Sequence, residues 1–96
     1  MSKRDLQTLG ALAMDLKRAS LGLYRGSMKM AEKFEEEALS RENELNQNEL
    51  APYIKTVLQK TKSVMKSDNK DQKMEHLLTY SVILQNYVQR ELDAQK

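Results

Sequence analysis

The sequence predicts an all-α protein, an antiparallel helical bundle of three helices with a long first helix. Good helix formers, chiefly Leu, Ala, Met, Glu, Lys and Gln, far outnumber strand-favouring residues, of which there are four Tyr, four Val, two Ile and one Phe. Three Gly and one Pro leave few turns, and apolar residues recur at helical spacing. We expect one domain, residues 1–96, because a chain of this length can bury a single core.

The first helix is predicted to begin after Ser2, which together with Asp5 resembles a capping box. From there, apolar and small residues alternate at steps of three and four, the heptad spacing of coiled-coil helices. The spacing passes Gly22 and Gly26 without a change of phase, which favours one continuous helix to about residue 44. This seam consists of Leu6, Leu9, Ala13, Leu16, Ser20, Leu23, Ser27, Met30 and Phe34.

The alternative is a break near Gly26, with Ser27 capping a new helix and four helices in all. Two glycines within five residues would cost an uninterrupted helix about 2 kcal/mol relative to alanine, which favours the break. The preserved heptad phase favours continuity, and we take the continuous helix as the expectation.

The polar segment from Asn46 to Asn48 suits a connection, and Pro52 suits the first turn of the next helix, where no N–H is needed. That helix should end near Ser67, with Asp68 or Asn69 capping the last helix. The predicted seam of the helix that begins at Pro52 is Leu50, Ile54, Val57, Thr61 and Val64. The predicted seam of the last helix is Met74, Leu77, Ser81, Leu84 and Val88.

Charge alternates in sign along the chain. Residues 1–29 carry +4, residues 30–50 carry −5, residues 51–73 carry +4 and residues 74–96 carry −1, which together give the net charge of +2. If the segment 30–50 folds back antiparallel on the segment 51–73, opposite charges lie side by side. The pattern therefore indicates pairing within the chain before it indicates a charged partner.

The sequence lacks the residues that several functional classes require. The absence of Cys excludes disulfides and thiolate chemistry, and charged residues interrupt every apolar run, so no signal peptide or membrane span is expected. The acidic run between Glu32 and Glu49 comes with only one histidine, too few for a di-metal site in a bundle. We expect a cytoplasmic protein that is not an enzyme and uses no cofactor, metal or membrane.

A second apolar stripe on the first helix, and apolar residues around most of the last helix, exceed what three helices can cover among themselves. A twofold homodimer would cover them. The sequence therefore predicts a non-catalytic protein–protein interaction or regulatory module, a homodimer with a further, unidentified protein partner. The predicted interface residues are Met14, Leu21, Tyr24, Met28, Tyr80, Ile83 and Tyr87.

Two other functions stay open as alternatives. A histidine phosphotransfer domain would use His76, the only histidine, although the residues around it do not match the usual motifs. The second alternative is a nucleic-acid-binding regulator. Nucleic acid is an unlikely partner, because the acidic middle segment would repel phosphate. Its basic groups would be Lys3, Arg4, Lys17, Arg18, Arg25 and Lys29, or Lys55, Lys60, Lys62 and Lys66.

Overall fold

The computed structural model describes residues 1–95, and within them it contains helices and no strands. The predicted all-α helical bundle is therefore confirmed. A three-residue 3-10 turn, Gln47–Glu49, lies in the connection between the second and third helices. The helices are α1 (Lys3–Tyr24), α2 (Met28–Asn43), α3 (Pro52–Met65) and α4 (Lys70–Ala94).

The continuous first helix is wrong, and the alternative, a break near Gly26, is what the structure has. Gly26 adopts a φ of 74°, the left-handed conformation that glycine reaches without steric cost. Its N–H donates to the Leu23 carbonyl at 3.1 Å, and the Ser27 N–H donates to the Gly22 carbonyl at 2.8 Å, which together form a Schellman motif. Ser27 then caps α2, because its Oγ accepts from the Met30 N–H at 3.2 Å.

The buried face does not follow the heptad spacing of the sequence across this turn. In α2 the buried residues are Ala31, Ala38 and Glu42, whereas the seam residues Met30 and Phe34 are only half-buried. The inward face of α2 is thus displaced by one residue from the predicted seam. The apparent continuity arose because Met30 and Phe34 are apolar residues at the edge of that face.

The helices pack antiparallel to their chain neighbours, with α1 lying between α2 and α4. The Gly22 backbone meets α2 at Ala31. On the other side of α1, the Ser20 hydroxyl donates to the Met74 carbonyl at 2.8 Å and Gln85 Nε2 lies 3.0 Å from the Met14 sulfur. The shorter α3 packs mainly on α4 and contacts α2 less closely.

The core follows the predicted seams of α1, α3 and α4. In α1 the buried apolar set extends beyond the seam to Leu12 and Ala19, because this helix is covered on two sides. A fully buried leucine stabilises the fold by about 2 kcal/mol relative to an exposed one, so α1 makes the largest apolar contribution. The buried apolar side chains are Leu6, Leu9, Leu12, Ala13, Leu16, Ala19, Leu23, Ala31, Ala38, Leu45, Leu50, Ile54, Val57, Leu58, Leu77, Leu84, Tyr87 and Val88.

The helix ends otherwise match the sequence signals. Ser2 Oγ accepts from the Asp5 N–H at 3.1 Å, and Asn69 Oδ1 accepts from the Gln72 N–H at 3.1 Å. Pro52 occupies the first turn of α3. At the other end of α4, Gln95 Nε2 donates to the Met1 carbonyl at 3.3 Å, so the two ends of the described chain are in contact.

Opposite charges of neighbouring segments meet, as the alternating charge pattern predicts. Lys62 Nζ of α3 lies 3.0 Å from Glu42 Oε1 of α2, and Lys73 Nζ of α4 lies 2.7 Å from Glu35 Oε1 of α2. The side chains of Glu42, Lys73 and Glu35 are nearly buried. These pairs connect α2 to α3 and α4, the helices that α2 approaches least closely.

The tight contact at Gly22 gives a stability prediction. A Cβ at this position would lie 2.8 Å from the Ala31 backbone nitrogen, so Gly22→Ala should force α1 and α2 apart and lower the free energy of unfolding by about 2 kcal/mol. Urea denaturation followed by circular dichroism measures this change.

The matched control is Gly10→Ala on the same helix. There a Cβ would make an ordinary contact, 3.7 Å from Val88 Cγ1, so the higher helix propensity of alanine should raise the unfolding free energy by up to about 1 kcal/mol. Equal effects of the two substitutions would contradict the proposed close contact of α1 with α2.

Candidate protein-interaction groove

A groove of about 470 Å³ runs between the second half of α1 and the first half of α4. Its walls are mostly apolar, and the charged side chains stand at its rim. The groove is open to solvent along its length, as expected between two antiparallel helices that no third helix covers. Its lining residues are Lys17, Ser20, Leu21, Tyr24, Asp71, Met74, Glu75 and Leu78.

The apolar walls of the groove are exposed. Leu21 is 38% exposed, Tyr24 76% and Leu78 45%. Val82, one turn beyond Leu78 on α4, is 47% exposed and lengthens the same side. Large apolar side chains that are scattered singly need no explanation, but a contiguous exposed group that lines a concavity marks a contact surface.

The polar groups of the groove include one hydroxyl group that is already hydrogen-bonded and three charged side chains that remain exposed. The Ser20 hydroxyl is occupied by its hydrogen bond to the Met74 carbonyl and ties α1 to α4. Lys17, Asp71 and Glu75 are exposed, and none of them forms an ion pair within residues 1–95. They are therefore free to contact a molecule that enters the groove.

The interface residues predicted on the first helix are mainly exposed. Leu21 and Tyr24 line the groove, and Met28, 51% exposed, lies at the start of α2 just beyond the turn. Met14 is half-buried, with its sulfur in contact with Gln85. The structure thus brings Leu21 and Tyr24 to one site and leaves Met14 largely within the α1–α4 contact.

The residues predicted on the last helix lie on a different side from the groove. Tyr87 is buried, and its ring packs edge-on against Tyr53 of α3 with centroids 5.6 Å apart. Burial raises the pKa of the Tyr87 phenol above its ordinary value. Tyr80 and Ile83 are half-buried against the core. Leu78, which was not among the predicted interface residues, supplies the α4 wall of the groove instead.

His76 is half-buried on α4, and its Nδ1 is enclosed without a hydrogen-bond partner within residues 1–95. The nearest ring is that of Tyr80, with centroids 6.0 Å apart. This Nδ1 is therefore not open to a phosphodonor protein. His76 lies outside the groove.

Three observations bear on other classes of function. Among the basic residues considered for nucleic-acid contacts, Lys62 is already paired with Glu42. Within residues 1–95 no three His, Asp or Glu side chains are grouped so that they could hold a metal ion. None of the helices in this part of the chain is long and apolar enough to span a membrane.

The most buried charge in the bundle is Asp15, which the sequence analysis did not single out. It is 1% exposed on α1, and its Oδ2 accepts from Arg41 Nε of α2 at 2.6 Å, while its Oδ1 has no hydrogen-bond partner within residues 1–95. Burial raises the pKa of Asp15, and Arg41 only partly opposes this effect. The pair lies on the α1–α2 side, away from the groove, so we assign it a structural role.

No protein-family model matches this sequence, and neither a curated protein nor a solved structure gives a significant match to it. A fold alone does not indicate a function. The argument for function therefore rests on the groove and its charges.

The Asp15–Arg41 pair yields a second prediction. Arg41→Ala should lower the free energy of unfolding by about 2 kcal/mol at neutral pH, because it leaves a buried carboxylate without its cation. The loss should shrink when Asp15 is replaced by Asn, since no buried charge then remains. Urea denaturation of both single variants and the double variant measures this coupling.

The same pair sets a pH dependence. Because the folded state raises the pKa of Asp15 above 3.8, the stability that comes from its protonated form is complete below 3.8 and is lost as the pH rises through the folded value. Asp15→Asn should therefore gain stability relative to the unmodified protein over that range. A difference between the two proteins that stays constant with pH would contradict this explanation.

Proposed function

We propose that this chain is a non-catalytic protein–protein interaction or regulatory module of the cytoplasm, and that it acts as a homodimer formed through the α1–α4 groove. The exposed apolar lining of that groove carries the proposal. A further protein partner, which the sequence analysis expects, would then contact the dimer rather than the isolated chain.

The shape of the groove supports a protein as its occupant. A shallow channel between two antiparallel helices is the geometry in which amphipathic helices dock, with apolar side chains as anchors. Met74 on its floor adds a flexible side chain that adapts to different contacts. Burying Leu21, Tyr24 and Leu78 would remove three exposed apolar side chains from water.

The occupant we propose is a second copy of this chain, because the α1–α4 face contains both a projecting side chain and a recess. A twofold interface uses the same patch on both subunits, so the patch must supply both a projection and a recess. Tyr24 projects from the face, with 76% of its surface exposed, and the groove beside it is the recess. Large aromatic side chains that enter a pocket are typical anchors of protein interfaces.

The proposal predicts that a charge in the groove wall breaks the dimer. Leu78→Glu places a carboxylate among the apolar contacts and should weaken self-association roughly 30-fold or more, as loss of an interface anchor does. Sedimentation velocity over a range of protein concentrations measures the dissociation constant and distinguishes the dimer from the 11.1 kDa monomer.

The matched control is Leu39→Glu, the same substitution at a leucine that is 39% exposed on α2 and lies outside the groove. It should leave self-association unchanged. A chain that remains monomeric at high micromolar concentration would overturn the homodimer, and equal effects of the two substitutions would show that the dimer uses another surface.

A further inference from the structure

The free charges of the groove are spread along it, with Lys17 at one end, Asp71 at the other and Glu75 between them. The contacts of Ser20 with Met74 and of Met14 with Gln85 fix how α1 and α4 lie side by side. In this alignment Lys17 on α1 lies at one end of the groove, level with the turn of α4 that follows Leu78. Asp71, on the first turn of α4, lies at the other end, level with Tyr24, and Glu75 is one turn along α4 from Asp71.

From this layout we infer that the second copy docks in one register, in which Lys17 of each copy faces the acidic pair Asp71 and Glu75 of the other. The inference rests on the proposed homodimer. A twofold axis that lies in the interface, at right angles to the line from Lys17 to the acidic pair, superposes the basic end of one groove on the acidic end of the other. Symmetry then makes the contact twice.

The charges of the groove differ from the near-buried charges elsewhere in the bundle. The near-buried ions Asp15, Glu42, Glu35 and Lys73 all have partners within the chain. Lys17, Asp71 and Glu75 form no ion pair within residues 1–95, and they border the exposed apolar walls of the groove. Charges at the rim of an apolar contact select register and partner more than they add affinity.

Other registers of the same two faces are disfavoured by charge. If Lys17 met Lys17, or the acidic pair met its own copy, like charges would face each other across an apolar contact. Only the crossed arrangement pairs every free charge of the groove with an opposite one. The three residues are therefore specificity determinants of the interface, and Leu21, Tyr24 and Leu78 supply its apolar contacts.

Charge reversal tests this register. Lys17→Glu alone should weaken self-association about tenfold, and so should Glu75→Lys alone, because each turns two attractive pairs into two repulsive ones. An equimolar mixture of the two variants should associate as well as the unmodified protein, since both contacts in the mixed dimer are then attractive. Glu75 is preferred to Asp71 because an acidic residue in the first turn of α4 also favours that helix.

Sedimentation of each variant alone and of the mixture gives the result, with circular dichroism to verify that the helices are intact. Lys60→Glu, at an exposed lysine of α3 outside the groove, is the matched control and should leave the dissociation constant unchanged. Recovery in the mixture supports the register. If Leu78→Glu abolishes the dimer while the charge variants behave like Lys60→Glu, the register is wrong and the proposed function stands; an unmodified chain that never dimerises overturns both.

Discussion

Leu9, Leu12 and Leu16 of α1 lose essentially all of their exposure because α2 and α4 pack along two sides of that helix. This double coverage is the constraint on which the rest of the bundle depends. It requires α1 and α2 to approach closely, which Gly22 permits because it presents no Cβ to the Ala31 backbone. It also places Asp15, on the α2 side of α1, where Arg41 forms an ion pair with it. The third side of α1 remains uncovered and forms a wall of the groove.

Local patterns were sufficient to predict much of the fold. The caps at Ser2 and Asn69, the start of α3 at Pro52 and the seams of α1, α3 and α4 each depend on residues within one or two turns of one another. The turn at Gly26 was misjudged because two kinds of signal disagreed there. Heptad spacing continued across it, whereas a glycine suited to a Schellman motif ended the helix.

The candidate site was only partly predictable. The exposed stripe that includes Leu21 and Tyr24 follows from spacing along one helix. On α4, apolar residues surround most of the axis, so the sequence cannot indicate which of them α3 will cover; Tyr87 is buried on that side and Leu78 is left exposed. The partner of Asp15 could not be predicted from the sequence for a related reason. Arg41 lies opposite Asp15 only because the chain reverses at Gly26.

The contact between Gln95 and Met1 puts both ends of the described chain at the end of the bundle that is remote from Tyr24 and Asp71. Lys17, at the nearer end of the groove, is about four helical turns from the start of α1. A fluorescent label, an affinity tag or a fused domain attached at either end would consequently lie at the end of the bundle that is remote from the groove. Such attachments give a way to tether or image the molecule while that face stays accessible.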